Sequence, residues 1–215
     1  MISLLKILTE NKFFVPERSR QERRERRKLQ DFRRIQDYIK NGSQGNLDLT
    51  DCVLTELPNN LVEIGGELIL GSETELNKLP TSLKVIKGNL WLSSSKISSL
   101  PDNLHIMKNL YANNSNLSSL PETLKVNETV NVASTKISKL PDDLNVGRNL
   151  NLVNTAIDSI PKNLNVKGDL YIGSTKLVRD ITYQLSQQPD KPNISDLIRD
   201  MIEQKGGSVG GNIYT

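Results

Sequence analysis

Leu140 to Ser159 reads LPDDLNVGRNLNLVNTAIDS. Within it, Leu150-Asn151-Leu152 alternates apolar and polar residues, the period of a strand with one buried face. The opening Leu140-Pro141 cannot belong to that strand, because proline has no N–H for a ladder hydrogen bond. A strand followed by a return segment therefore fits within one unit. The same frame recurs along the middle of the chain. Leu-Pro pairs stand at Leu57-Pro58, Leu79-Pro80, Leu100-Pro101, Leu120-Pro121 and Leu140-Pro141, and Ile160-Pro161 continues the series. The steps are 22, 21, 20, 20 and 20 residues. A fixed period of this size marks stacked supersecondary units, none of which buries its apolar face alone.

Aligned on this frame, the units share an inward pair: Leu47/Leu49, Leu68/Leu70, Leu90/Leu92, Leu110/Ala112, Val130/Val132, Leu150/Leu152 and Leu170/Ile172. A further inward apolar position follows at Leu54, Leu76, Ile97, Leu117, Ile137, Ile157 and Leu177. Between these positions runs a small polar column of Cys52, Thr74, Ser95, Ser115, Thr135, Thr155 and Thr175. Two early units carry extra residues, which the spacing places just before the strand, around Val62 and Val85.

These columns, L-x-L-x-x-[T/S/C]-x-[L/I], resemble leucine-rich repeats over about residues 46–180. The proline-containing 20-residue form is similar to bacterial and bacteriophage repeats, and most like small phage-encoded repeat proteins. The second Leu-Pro of secreted bacterial effectors, and their large C-terminal ligase domain, have no counterpart here. The resemblance implies a leucine-rich-repeat solenoid with a parallel sheet of about seven to eight short strands and an irregular return side. It also implies that the small polar column turns inward and bonds to the backbone of neighbouring turns. Cys52 is then a small buried thiol rather than a nucleophile.

Helical caps are expected at both ends, since a solenoid leaves its terminal core layers wet without them. Residues 17–45 form a basic N-terminal cap. Its helix spans residues 17–41, with Leu29, Phe32, Ile35 and Ile39 at helical spacing over the first turn and Asn41-Gly42 as the stop. Residues 181–215 form the C-terminal cap. Asn193 to Lys205 reads as an amphipathic helix, capped by Asn193 or Ser195 and stopped by Gly206-Gly207. The final stretch from Val209 to Tyr214 matches Val166 to Tyr171 column for column, which predicts a last strand at Asn212–Tyr214.

Charge is unevenly placed. Residues 1–40 hold 12 Lys and Arg against 6 Asp and Glu, whereas the rest of the chain has a balance of −3. Arg20, Arg23, Arg24, Arg27 and Lys28 form a basic patch suited to phosphate neutralisation. The bland alternative is a solvated cap helix, because Glu22, Glu25 and Asp31 are interleaved and Glu22/Arg26 is spaced as a helical pair. Residues 1–16 form an apolar N-terminal segment. Its Leu8-Thr9-Glu10 resembles the cleavage consensus of phage prohead proteases, which implies removal of a capsid-targeting peptide after Glu10. A docking N-terminal helix is the simpler reading of the same residues.

No catalytic constellation is present in the sequence. The single histidine, His105, falls in a return segment and reads as a surface residue. No Cys/His cluster has metal spacing, no phosphate-binding glycine loop occurs, and no cofactor is called for. With one cysteine there is no internal disulfide, and no apolar run reaches the roughly 20 residues of a membrane span. The expectation is a soluble, cytoplasmic protein, in a host cell or packaged in a virion if phage-encoded.

The outward face of the sheet is the candidate site. Its central column is Ile69, Trp91, Tyr111, Asn131, Asn151 and Tyr171, with Tyr214 continuing it. The only tryptophan and three of five tyrosines share this register. Beside it run Glu67, Asn89, Asn109, Thr129, Asn149 and Asp169, and on the other side Ser93, Asn113, Ala133 and Val153. Large rigid side chains with polar edges suit recognition of a protein, although aromatics also favour strands for packing reasons alone. The sequence therefore points to a non-catalytic protein-binding module. The alternatives are a virion-associated structural protein and a nucleic-acid-associated protein acting through the basic helix.

Overall fold

The computed structural model describes residues 20–188 and 191–215. The apolar N-terminal segment, with Glu10 and the cleavage motif, lies outside the described residues. From Leu47 onward the chain winds as a solenoid of stacked coils, each contributing two short parallel strands. The first strands are β1 (Leu47–Asp48), β3 (Leu68–Ile69), β5 (Leu90–Trp91), β7 (Leu110–Tyr111), β9 (Val130–Asn131), β11 (Leu150–Asn151), β13 (Leu170–Tyr171) and β15 (Ile213–Tyr214). They pair in that order as an eight-stranded sheet. The inward pairs of this sheet are buried in every coil.

The return side is more regular than its sequence implies. It carries a second, seven-stranded parallel sheet of β2 (Glu63–Ile64), β4 (Val85–Ile86), β6 (His105–Ile106), β8 (Lys125–Val126), β10 (Asn145–Val146), β12 (Asn165–Val166) and β14 (Ser208–Val209). The buried column Ile64, Ile86, Ile106, Val126, Val146, Val166 and Val209 lines it. Two-residue strands are too short for alternation to declare itself, so only the stacking reveals them. His105 is therefore a strand residue of this second sheet, with Nε2 2.9 Å from the Asn127 Oδ1. The extra residues of the early units are also split. One per unit precedes the strand, but in the first unit another lies between Leu70 and Thr74, one residue further apart than Leu92 and Ser95.

The small polar column is buried throughout, from Cys52 and Thr74 to Thr175. Its hydroxyls bond within their own coil rather than to neighbouring ones. Ser115 donates to the Ala112 carbonyl at 2.6 Å, Thr135 to Val132 at 2.7 Å and Thr155 to Leu152 at 2.7 Å. Each of these hydroxyls finds its acceptor at a strand-end carbonyl of the bend, that of Ala112 also accepting from the Ser115 amide, so the buried O–H is not left unpaired at a cost of about 1–3 kcal/mol. The bend itself passes through Ser94, Asn114, Ser134, Asn154 and Ser174, all with φ between 56° and 60°. Asparagine tolerates this left-handed conformation better than most residues. At Thr175 the hydroxyl instead accepts from the Val178 amide and caps helix α2 (Lys176–Leu185), which the sequence reading did not separate from the last repeat.

Helix α1 (Arg20–Lys40) closes the first coil, but through one edge only. Ile35 is fully buried, and Tyr38 and Ile39 pack beside it. Asp31 accepts from the Val53 amide at 2.9 Å. The Tyr38 hydroxyl donates to the carbonyls of Ser43 and Gly45 and accepts from the Gly65 amide. Leu29 and Phe32, expected in the cap interface, are 49% and 45% exposed. Helical geometry explains the difference: Asp31, Ile35 and Tyr38 already define the docked stripe, and Leu29 projects from another side.

At the other end, helix α3 (Ile194–Gln204) is capped by Asn193, whose Oδ1 accepts from the Ser195 amide at 2.8 Å. Ile198 and Ile202 seal the last core layer. After Gly206 the chain rejoins both sheets, with Val166 opposite Val209, Leu170 opposite Ile213 and Tyr171 opposite Tyr214. In the preceding coil, the Val166 and Gly168 carbonyls accept from the Gly210 and Gly211 amides. The equivalent carbonyls of the last coil, Val209 and Gly211, each accept from Arg199 at 2.8 Å. Ser195 covers the Ile213 carbonyl at 2.9 Å. The guanidinium stands where the next coil would be, so the open edge no longer templates pairing with another chain.

Two outcomes follow. Ile35→Ala costs about 2–5 kcal/mol in denaturant unfolding, whereas Phe32→Ala costs under about 1 kcal/mol, because only the former empties a buried site. Arg199→Ala uncovers two edge carbonyls and raises self-association, read as a concentration-dependent mass by light scattering. An unchanged mass across concentrations would show that Arg199 does not guard the edge.

Candidate recognition surface

Parallel pairing in register fixes the outward column. Ile69 lies opposite Trp91, Trp91 opposite Tyr111, Tyr111 opposite Asn131, Asn131 opposite Asn151 and Asn151 opposite Tyr171. All six candidate residues thus form one continuous row, each half-buried. Asp48 precedes them and Tyr214 follows.

The row is not uniform. Trp91 and Tyr111 stack with ring centroids 4.2 Å apart and 21° between planes. Tyr171 and Tyr214 stack at 4.7 Å and 8°. Two asparagines separate these pairs. Because successive strands follow one another about 4.8 Å apart along the solenoid axis, the rings of neighbouring coils can stack face to face along it. Such stacking contributes about 0.5–1.5 kcal/mol per pair and holds the rotamers before any partner arrives. Asn131 and Asn151 accept from the Ala133 and Val153 amides at 3.2 and 3.1 Å. Each amide Nδ2 is left without a partner among the described residues.

The column beside it serves the backbone. Asn89 Oδ1 accepts from the Asn109 amide at 3.1 Å, Asn109 Oδ1 from the Thr129 amide at 2.9 Å and Asn149 Oδ1 from the Asp169 amide at 2.9 Å. Asp169 Oδ1 accepts from the Asn212 amide at 2.8 Å, and Asn46 Oδ1 from the Glu67 amide at 2.9 Å. Each side chain reaches up one coil and ties down the corner that leads into the next strand. Sequence reasoning placed these residues in the recognition face, and the recurrence of asparagine at one fixed position was the signal of a ladder. Glu67 differs: its carboxylate accepts from Asn89 Nδ2 at 2.6 Å and from Trp91 Nε1 at 3.2 Å. Tyr171 meets Asp169 Oδ2 at 3.5 Å. Desolvation, then the Asp169 charge, raises the Tyr171 phenol above its ordinary pKa. On the opposite side, Ser93 donates to Asn113 Oδ1 at 2.8 Å.

Electrostatically the face is sorted. Four outward columns cross it: those of Asn46, Asp48, Thr50 and Asp51 in the first coil, continued coil by coil. None of the chain's 28 Lys and Arg falls in them. Asp48, Asp51, Glu67, Glu73 and Asp169 do. Hydrogen bonds from the Thr50 hydroxyl and amide hold Asp48 below the usual carboxylate range.

The basic patch is divided by its contacts. Arg24 pairs with Glu75, Arg27 donates to the Asp51 carbonyl at 3.1 Å, and Lys28 pairs with Glu25 at 2.9 Å. Arg24 and Arg27 therefore fasten α1 to the first coils, while Arg20 and Arg23 stand exposed on its first turns. Cys52 is buried, and desolvation raises its thiol pKa, which keeps it protonated and a weak nucleophile. No group of His, Cys, Asp and Glu with metal-holding geometry occurs among the described residues. Nor is any described helix long and apolar enough to cross a membrane.

No protein-family model matches the chain, and no curated protein matches it.

Proposed function

We propose that the protein is a non-catalytic recognition module that binds a protein partner through the outward face of its eight-stranded sheet. The observation that carries this reading is the aromatic row. The only tryptophan and three of five tyrosines share one solvent-facing column, ordered by stacking on a rigid scaffold. Rigid aromatics offer contact area at low entropic cost, which is why Trp and Tyr dominate binding hot spots. Their stacking also has a structural use, so the two roles must be separated by experiment.

The leucine-rich columns with their Leu-Pro returns favour a repeat of the bacterial or bacteriophage type. In that setting the module is either a host-directed modulator or a virion-associated factor. A nucleic-acid role through α1 rests on Arg20 and Arg23, since Arg24 and Arg27 are spent on docking the helix.

The test compares wild type with a Trp91→Ala/Tyr111→Ala/Tyr171→Ala variant in pull-downs from source-cell lysate, with and without nuclease. The variant should lose about 1–3 kcal/mol of stability from its broken stacks, stay folded by circular dichroism, and lose a nuclease-resistant partner. Unchanged capture by the folded variant would make the aromatic row purely structural. Capture abolished by nuclease, with the variant still active, would move the function to α1.

A further inference from the structure

The asparagine ladder supplies a way to ask which charges the fold requires. At that column an amide oxygen is sufficient, as Asn46, Asn89, Asn109 and Asn149 demonstrate by accepting the same backbone bond. Asp169 makes the identical bond to Asn212 with a carboxylate. Its negative charge exceeds what the ladder needs. Glu67 occupies the same column, and its two bonds, from an amide and an indole N–H, are again bonds to neutral donors. Neither carboxylate takes part in an ion pair among the described residues.

Both surplus charges sit beside the aromatics. Glu67 holds Trp91 of the first stack, and Asp169 lies against Tyr171 of the second. Between them lie Asn131 and Asn151, whose amide Nδ2 groups have no partner among the described residues. Lysines and arginines are kept off the whole face but border it, at Lys108 and Arg148 on one side and Lys96, Lys136 and Lys176 on the other. A phosphate-bearing partner would meet carboxylates, ring edges and neutral amides on this strip, and no cation. A cationic one would find two separate carboxylates with unused acceptor capacity, each next to an aromatic rim.

Resting on the recognition role of this face, we propose that its partner is an extended polypeptide segment bearing two Lys or Arg side chains about seven residues apart. The spacing follows from geometry. The coils of Glu67 and Asp169 are five strand steps apart, about 24 Å at 4.8 Å per step. An extended chain covers that length in about seven residues at 3.3–3.6 Å each, and the even spacings on either side, about six and eight, turn both side chains to the sheet. One cation reaches Glu67 beside Trp91 and Tyr111, and the other reaches Asp169 beside Tyr171 and Tyr214. Uncharged residues cross the two asparagines.

The experiment is selection of a random dodecapeptide library on the full chain, followed by fluorescence polarisation with the selected peptides. The decisive variant is Glu67→Gln/Asp169→Asn, which removes both charges and keeps an acceptor oxygen at each position. Selected peptides should carry paired basic residues near the seven-residue spacing. The charge variant should weaken them roughly two- to thirty-fold, the effect of two exposed ion pairs, and flatten their salt dependence. Peptides without basic residues, or peptides indifferent to the charge variant yet lost with Trp91→Ala/Tyr111→Ala, would overturn this inference and leave the face as the site. Peptides indifferent to both variants, or no selected peptide at all, would overturn the inference together with the reading of the face beneath it.

Discussion

A single coil of this protein is too thin to bury its own leucines, and everything else follows from that. Burial comes only from the coil above and the coil below. Parallel hydrogen bonding at a one-coil offset then forces each residue over its counterpart. Side chains become columns, and each inward column keeps one chemistry, while the outward ones are mixed. Apolar columns fill the core, hydroxyls satisfy the bend, asparagines fasten the corners, and aromatics stack on the outer face. The ends are the exceptions, since the column has no next member there. Ile35 and Tyr38 stand in for the missing coil at the start, and Ile198, Ile202 and Arg199 at the finish.

Column chemistry also explains what was legible in the sequence. The inward pairs of the first sheet recur so regularly that the solenoid could be read from Leu-Pro spacing and L-x-L alternation. The outward row Ile69 to Tyr171 followed from the same alternation. The second sheet did not, because Leu104-His105-Ile106 and its equivalents are only one alternation long and look like any turn flanked by apolar residues. Leu29 and Phe32 were misplaced for a related reason. Their spacing is right for an amphipathic stripe, but periodicity cannot say which of two overlapping stripes docks, and the polar anchors Asp31 and Tyr38 decided it. The hydroxyl column was correctly seen as buried, yet its partners lie in its own coil, a matter of bend geometry that composition does not encode.

On the outer face, structural need and the proposed recognition role overlap but can be told apart by what each requires. The ladder requires an amide oxygen once per coil. It does not require the negative charges of Glu67 and Asp169. The stacks add cohesion between coils, yet nothing in the fold requires tryptophan at position 91, where Ile69 and Asn131 fill the same column in other coils. The residues in excess of structural need cluster at the two aromatic pairs, and that surplus is the physical basis for treating the face as a binding surface.

The central claim is that a partner polypeptide lies on this row and not elsewhere on the solenoid. Site-specific photocrosslinking tests it most directly, with a benzophenone side chain placed at Asn131, between the aromatic pairs, or at Ser119, exposed on the return side. In the cell that makes the protein, the account predicts one discrete polypeptide adduct from position 131 and none from position 119. The same adduct from both positions, or an adduct from 119 alone, would contradict it.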